Sequence, residues 1–198
     1  MAADYISIIN NLTAFYPFTG KSVIHVGAGG GQLIAYARET KHVLAVDSDL
    51  NALERLNSAI ASQRLQERFT ILHADFGPQL PPADVVLFEF CLHEIDDAES
   101  ALATARQLAP DVVVIDHAPG SPWVFYTAET NKVRNSWAVV DSHHVRRRSD
   151  FATTQRFADV DELLQKVSVV GEPAISRARA LSGQSPIEIE MTYRAALL

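Results

Sequence analysis

Cysteine is nearly missing from this chain of 198 residues, and basic residues are outnumbered. The single thiol, Cys91, excludes internal disulfides and thiolate zinc clusters. Lys and Arg number 17 against 24 Asp and Glu, a net charge of −7. Such a chain gains nothing from counterion release along a polyphosphate, so no nucleic-acid partner is expected. No apolar run reaches the roughly 18 residues that a membrane span requires, so no membrane partner is expected either. Met1-Ala-Ala-Asp-Tyr5 lacks the basic start and apolar stretch of a signal peptide, which makes a soluble, cytoplasmic protein the expectation. Internal repeats and low-complexity linkers are also absent. One domain spanning 1–198 follows, with 1–20 as an N-terminal helical cap and room for about 70% burial of the unfolded surface.

What is present is an ordinary globular balance, 47% hydrophobic and 21% charged, and one conspicuous stretch. Val23-Ile-His-Val-Gly-Ala-Gly-Gly-Gly31 runs an apolar strand into a glycine turn, and a second strand ends on Asp47, twenty positions after Gly27. A strand, a glycine turn, a helix and an acid after the next strand make a nucleotide-binding unit: backbone N–H groups and a helix start face the ligand, and the carboxylate takes a ribose hydroxyl. The dinucleotide fingerprint Gly-x-Gly-x-x-Gly fails because its third position falls on Gln32, so a nicotinamide dinucleotide is disfavoured.

The rest of the chain alternates. Residues 4–15 carry apolar side chains three and four apart, suiting an amphipathic helix that covers one edge or acts as a lid with Tyr5 or Tyr16 over a ligand. Strands are expected at 22–26, 42–47, 69–73, 84–90 and 112–116, and helices at 32–39, 50–62 and 98–108. Continuous apolar strands such as 84–90 suit a parallel sheet buried on both faces, hence a doubly wound α/β fold with every strand's C-terminal end on one rim. Beyond His117 the spacing predicts a helix over 123–138, a polar basic stretch at 141–149, a short helix at 159–166 and two antiparallel strands at 167–175 and 187–195.

Gly27-Ala28-Gly29-x-Gly31, Asp47-Ser48, Asp75-Phe76 and the run Ala83-Asp-Val-Val-Leu-Phe-Glu-Phe-Cys-Leu-His-Glu-Ile-Asp-Asp97 together resemble the class I S-adenosylmethionine-dependent methyltransferases of the small-molecule type, over roughly residues 20–117. The resemblance implies a Rossmann-like seven-stranded sheet, mostly parallel with an antiparallel C-terminal strand. It implies that the glycine loop passes under the methionine and ribose, that Asp47 and Ser48 meet the ribose, and that Asp75 faces adenine with Phe76 as a wall. It also marks a departure: an acid usually stands where this chain has His25. A neutral His25 can accept a hydrogen bond, or Glu89 at the end of the fourth strand can supply the missing charge. The alternative for Glu89 is a protein Lys or Arg as its partner.

Methyl transfer from a sulfonium needs mainly alignment, and a base only where the acceptor must lose a proton. Catalytic candidates on the rim are His93, His117 and Glu94, with helix capping as the plainer role for His93. Tyr5, Trp123, Tyr126 and His144 are the candidate acceptor contacts, although aromatics at helical spacing also serve as core and His143-His144 also suits a solvated loop. No metal-ligand spacing is recognisable, so no metal is expected. The expected function is methyl transfer to a small, partly apolar acceptor, with S-adenosylhomocysteine as the spent cofactor and a homodimer allowed for. Alternatives are aminopropyl transfer or cofactor cleavage in the same pocket, or a non-catalytic cofactor-binding subunit.

Overall fold

The computed structural model describes residues 3–198; Met1 and Ala2 of the expected cap lie outside the described residues. Seven strands form one sheet: β1 (Ser22–Val26), β2 (His42–Asp47), β3 (Phe69–His73), β4 (Val85–Glu89), β5 (Asp111–His117), β6 (Arg147–Phe157) and β7 (Ile187–Leu197). Their order is β3-β2-β1-β4-β5-β7-β6. The first five pair in parallel, and β7 runs antiparallel to both β5 and β6. The expected Rossmann-like α/β fold is therefore present.

Helices cover both faces. The N-terminal α1 (Tyr5–Phe15), α2 (Leu50–Gln63), α6 (Val160–Val167) and α7 (Glu172–Arg179) contribute to one apolar core, and α3 (Ala98–Leu108) with α5 (Thr130–Ser142) to the other. The short α4 (Pro122–Tyr126) lends Trp123 to the first core and Val124 to the second. Capping follows the sequence closely. Asp4, Asp49, Asp97 and Asp159 each accept a backbone N–H in the first turn of the helix they precede.

Four expectations need correction. The segment after the glycines is a 3-10 turn, Ile34–Arg38, rather than an α-helix. Its rise of about 2.0 Å per residue, against about 1.5 Å for an α-helix, lets a short segment return along the length of β1 to the start of β2. The helix expected over 123–138 is two, broken at Ala128, which sits at φ 60. The strand expected at 167–175 is helical, because Gly171 at φ 112 and Pro173 open α7. Val169 there is 88% exposed and pairs with no strand.

The sixth strand is instead Arg147–Phe157, where the polar, basic stretch masked a two-residue alternation. As a sheet edge it carries charge. Asp150 holds Arg194 of β7 through two bonds of 2.6 and 2.9 Å, and Arg156 pairs with Glu188 at 3.1 Å.

Candidate functional site

The C-terminal ends of β1, β2 and β4 open onto a cleft of about 710 Å³. Gly27 and Gly29 form its floor, Asp47 and Ser48 one side, Asp75 and Phe76 another, and Phe90, Cys91 and Glu94 the far wall. Gly27 is required twice over: its φ is 68, and a Cβ there would lie 2.4 Å from Cys91 Cβ. Gly31, at φ 76, lets the turn press on α2, where a Cβ would lie 2.8 Å from Ala59 Cβ. Gly31 and the buried Ala28 thus shape the loop from behind without lining the cleft.

Asp47 ties the loop together. One carboxylate oxygen accepts from Gly29 N at 3.0 Å and the other from Asp49 N at 2.9 Å. A carboxylate has roughly four lone-pair positions, so hydroxyl donors from a ligand can still be accepted. Phe76 stands against Phe88, ring centroids 5.3 Å apart and nearly perpendicular.

Behind the loop lies a buried polar chain. His25 is fully buried; its Nδ1 is 3.0 Å from the Tyr36 hydroxyl and its Nε2 is 2.8 Å from Glu89 Oε2. The arrangement suits a Tyr36 hydroxyl donating to Nδ1 and an Nε2–H facing the carboxylate. Burial first, then the Glu89 charge, pushes the Tyr36 phenol well above its ordinary range, which keeps it a donor. No Lys or Arg pairs with Glu89 among the described residues.

Glu89 faces a second, smaller cavity of about 200 Å³, walled by Tyr5 and Ile8 of α1, Trp123, Met191, Gln155 and His117. Phe90 lines both spaces and adopts φ 47, a conformation uncommon for a bulky residue. Its N–H is held by Ile115 O at 2.8 Å. The Nδ1 atom of His117 is buried without a partner, and burial pulls the imidazole down to about 4, the neighbouring His93 cation adding to this while Asp116 opposes it. His117 is therefore neutral over the physiological range.

His93 differs in every respect. Its Nδ1 meets the buried Asp116 at 2.7 Å, its backbone N–H meets the other Asp116 oxygen at 3.2 Å, and its Nε2 lies 3.4 Å from Glu94. Burial opposes the charge, but Asp116 and Glu94 outweigh it and push the imidazole up to about 10. It lines neither space, and both ring nitrogens face carboxylates, an arrangement that leaves a charged imidazole no free lone pair to accept a proton. Glu94 does line the cleft, where the His93 hydrogen bond holds it below the usual carboxylate range and Lys132 Nζ bonds it at 2.6 Å. Glu129 stands 3.9 Å from His93 Nε2 and is raised, first by burial and then by Glu94. His93, Glu94 and Glu129 are the one group among the described residues whose donor atoms lie close enough to hold a metal ion, all within 4.8 Å.

Of the expected acceptor contacts, Tyr5 and Trp123 line the smaller cavity, Trp123 stacking on Phe157. Tyr126 packs against Phe125 and lines neither space. His144 is exposed beside Arg146, which bonds Asp111 at the start of β5, so it sits at the opposite end of the sheet from the site. Sequence reading missed Tyr36, Phe90, Asp116, Glu129, Gln155 and Lys166. The alternation of 151–157 was the available signal for Gln155; the others depend on contacts between distant segments.

Residues 24–112 match a family model described as a methyltransferase domain. No curated protein matches the chain. Among solved structures, a protein of Bacillus halodurans C-125 that carries the provisional description methyltransferase is 13% identical, with TM-score 0.69, covering 96% of this chain and 97% of its own. Magnesium protoporphyrin IX methyltransferase of Synechocystis PCC 6803, with bound S-adenosylhomocysteine, is 14% identical, with TM-score 0.56 and coverage of 97% and 80%. Coclaurine N-methyltransferase, bound to N-methylheliamine and S-adenosylhomocysteine, is 13% identical, with TM-score 0.65 and coverage of 98% and 72%. No helix among the described residues is long and apolar enough to cross a membrane.

Proposed function

We propose that the chain is a class I methyltransferase that uses S-adenosylmethionine and methylates a small molecule held in the cavity beyond Phe90, a reading supported by the match of residues 24–112 to a methyltransferase-domain model. The observation that carries this reading is the shared wall. Phe90 lines both the large cleft and the small cavity, so a donor in one lies next to an acceptor in the other. The two ligand-bound relatives act on small molecules, and the cavity here is of small-molecule size.

The residues fit the cofactor on the chain's own terms. Glu89 is a buried carboxylate, 8% exposed, with His25 as its one ion-pair partner among the described residues, and an ammonium would complete its charge, since burying a lone anion is costly. Asp47 and Ser48 receive the ribose hydroxyls, each such bond to a carboxylate contributing about 1.5–3 kcal/mol. Asp75 and Phe76 take the adenine, and the backbone of Gly27 to Gly29 passes beneath. When bound, the cofactor supplies a methyl group already activated on a sulfonium, transferred by in-line displacement.

The chain's part is then orientation, water exclusion and proton removal. Orientation of two reactants alone supplies on the order of 7–11 kcal/mol. Trp123, Phe90 and Met191 exclude water from the cavity. His117, neutral and with Nδ1 unengaged, is the group placed to take a proton from an acceptor O–H or N–H. Asp116 receives the His93 ring at 2.7 Å and the backbone N–H of His117 at 2.7 Å, and so ties the His93 turn to the end of β5.

Thermal shift with S-adenosylhomocysteine and with NAD tests the cofactor. The former at 100 times its Kd stabilises by about 2.7 kcal/mol; stabilisation by NAD alone would overturn the reading. Incubation of the protein with S-adenosylmethionine and small-molecule mixtures tests the reaction. Accumulation of S-adenosylhomocysteine supports methyl transfer, and accumulation of methylthioadenosine in its place would assign the pocket to aminopropyl transfer or cofactor cleavage.

A further inference from the structure

The small cavity has an uneven distribution of charge and hydrogen-bonding capacity. Gln155 projects inward from β6 and is 5% exposed. Its amide is oriented by Met191: Nε2 donates to Sδ at 3.0 Å, and the reverse orientation would set two electron-rich atoms together. Oε1 is then left buried without a partner. A buried acceptor left unmade costs about 1–3 kcal/mol. The carboxylate of Glu89 lies in the same cavity. At the exposed edge stands Lys166 of α6, which forms no ion pair among the described residues and whose charge is felt by His117. Between these ends the walls are apolar and aromatic, from Trp123, Phe90 and Met191.

We propose that the cavity selects a small, apolar-bodied carboxylate bearing an O–H or N–H at its other end, the donor meeting Gln155 Oε1 and the carboxylate meeting Lys166. The inner acceptor, Gln155 Oε1, offers nothing to a carboxylate and the outer Lys166 offers a cation, so the donor is turned inward and the acid group outward. At about 200 Å³ the space equals the liquid volume of about seven waters, enough for one substituted ring. Gln155 is a specificity-determining residue on this account, and Lys166 selects charge.

The inference rests on the two-space reading above, and the test separates the two. Binding of S-adenosylhomocysteine is measured first by calorimetry; its failure overturns the cofactor reading itself. Protein saturated with S-adenosylhomocysteine is then titrated with 4-hydroxybenzoate, 4-aminobenzoate, benzoate and methyl 4-hydroxybenzoate. The first two are expected to bind about tenfold more tightly than benzoate, which lacks the donor, and than the ester, which lacks the charge. These comparisons need only the wild-type chain. Gln155→Leu should make 4-hydroxybenzoate and benzoate bind alike, and Lys166→Met should do the same for acid and ester. Equal affinities across the four probes in the wild-type protein, or no binding of any, would overturn the inference while leaving the cofactor reading standing.

Discussion

Asp47 and Gln155 are both polar side chains at a ligand space, and they are finished to different degrees. Asp47 has both oxygens engaged by backbone N–H groups of the loops after β1 and β2, so this side of the cleft is fixed before anything binds. Gln155 has an oxygen with no partner, in a cavity where His117 Nδ1 also has none. The β1–β2 side of the rim is therefore preorganised by the chain, and the β5–β7–β6 side is left for a ligand to complete. A pocket for an invariant cofactor gains from having its geometry settled in advance. A pocket that must discriminate among acceptors gains from unmet groups, because only the right molecule satisfies them.

The largest effect that could break this contrast is at Asp47. Asp47→Ala removes the loop tie and the ribose acceptor together, and S-adenosylhomocysteine should bind about a hundredfold more weakly or worse by calorimetry. An unchanged Kd would mean that the cofactor side is not organised by that acid.

Next comes His93. Its folded-state value, raised to about 10 from the ordinary 6.5, favours the folded state wherever the imidazole is charged. That stabilisation is complete below pH 6.5 and is lost as pH rises towards 10. His93→Gln should cost about 3 kcal/mol at pH 6 by denaturant unfolding, as when one partner of a buried pair is removed, with the deficit shrinking towards pH 10. A deficit independent of pH would show that packing, not charge, is what His93 provides.

Glu89→Gln keeps the side chain's shape and removes its charge. About tenfold weaker binding of S-adenosylmethionine is expected, with little change in Tm; a large drop in Tm with unaltered affinity would assign Glu89 to structure, as the partner of His25. The smallest effect is at His144, exposed at the far end of the sheet. His144→Ala should change stability by less than about 0.5 kcal/mol and leave both spaces unaffected in the same titrations.

Much of the cofactor side was legible from the chain because its parts are local. The glycine turn, Asp47 and Asp75 each follow directly on a strand, and strand ends are readable from apolar runs. His25 departs from the resemblance at a position whose neighbour only the sheet reveals: β1 and β4 pair in parallel, His25 beside Leu87, which brings Glu89 within reach two residues on. The acceptor side was not legible in the same way. Arg147–Phe157 hides its alternation under edge charges, while Val167–Ile175 shows β-branched residues that end in solvent and a helix. His93 and His117 look alike in sequence, each following a strand, yet one is held as a cation and the other neutral. The carboxylates that face each ring separate them, Asp116 and Glu94 standing against the nitrogens of His93 while His117 Nδ1 has no partner, and such contacts are not a property of nearby sequence.

Cys91 shows what that closeness of β1 and β4 achieves chemically. Its sulfur lies in the wall of a cleft built for an alkylating sulfonium, and a thiolate there would be the strongest nucleophile in the protein. Burial first, and then the charge of Asp116, push the thiol well above its ordinary range, and Sγ donates its proton to Val26 O at 3.2 Å. The same tight packing that denies Gly27 a side chain keeps this sulfur protonated. What the cleft wall presents at this point is therefore a thiol and not a thiolate.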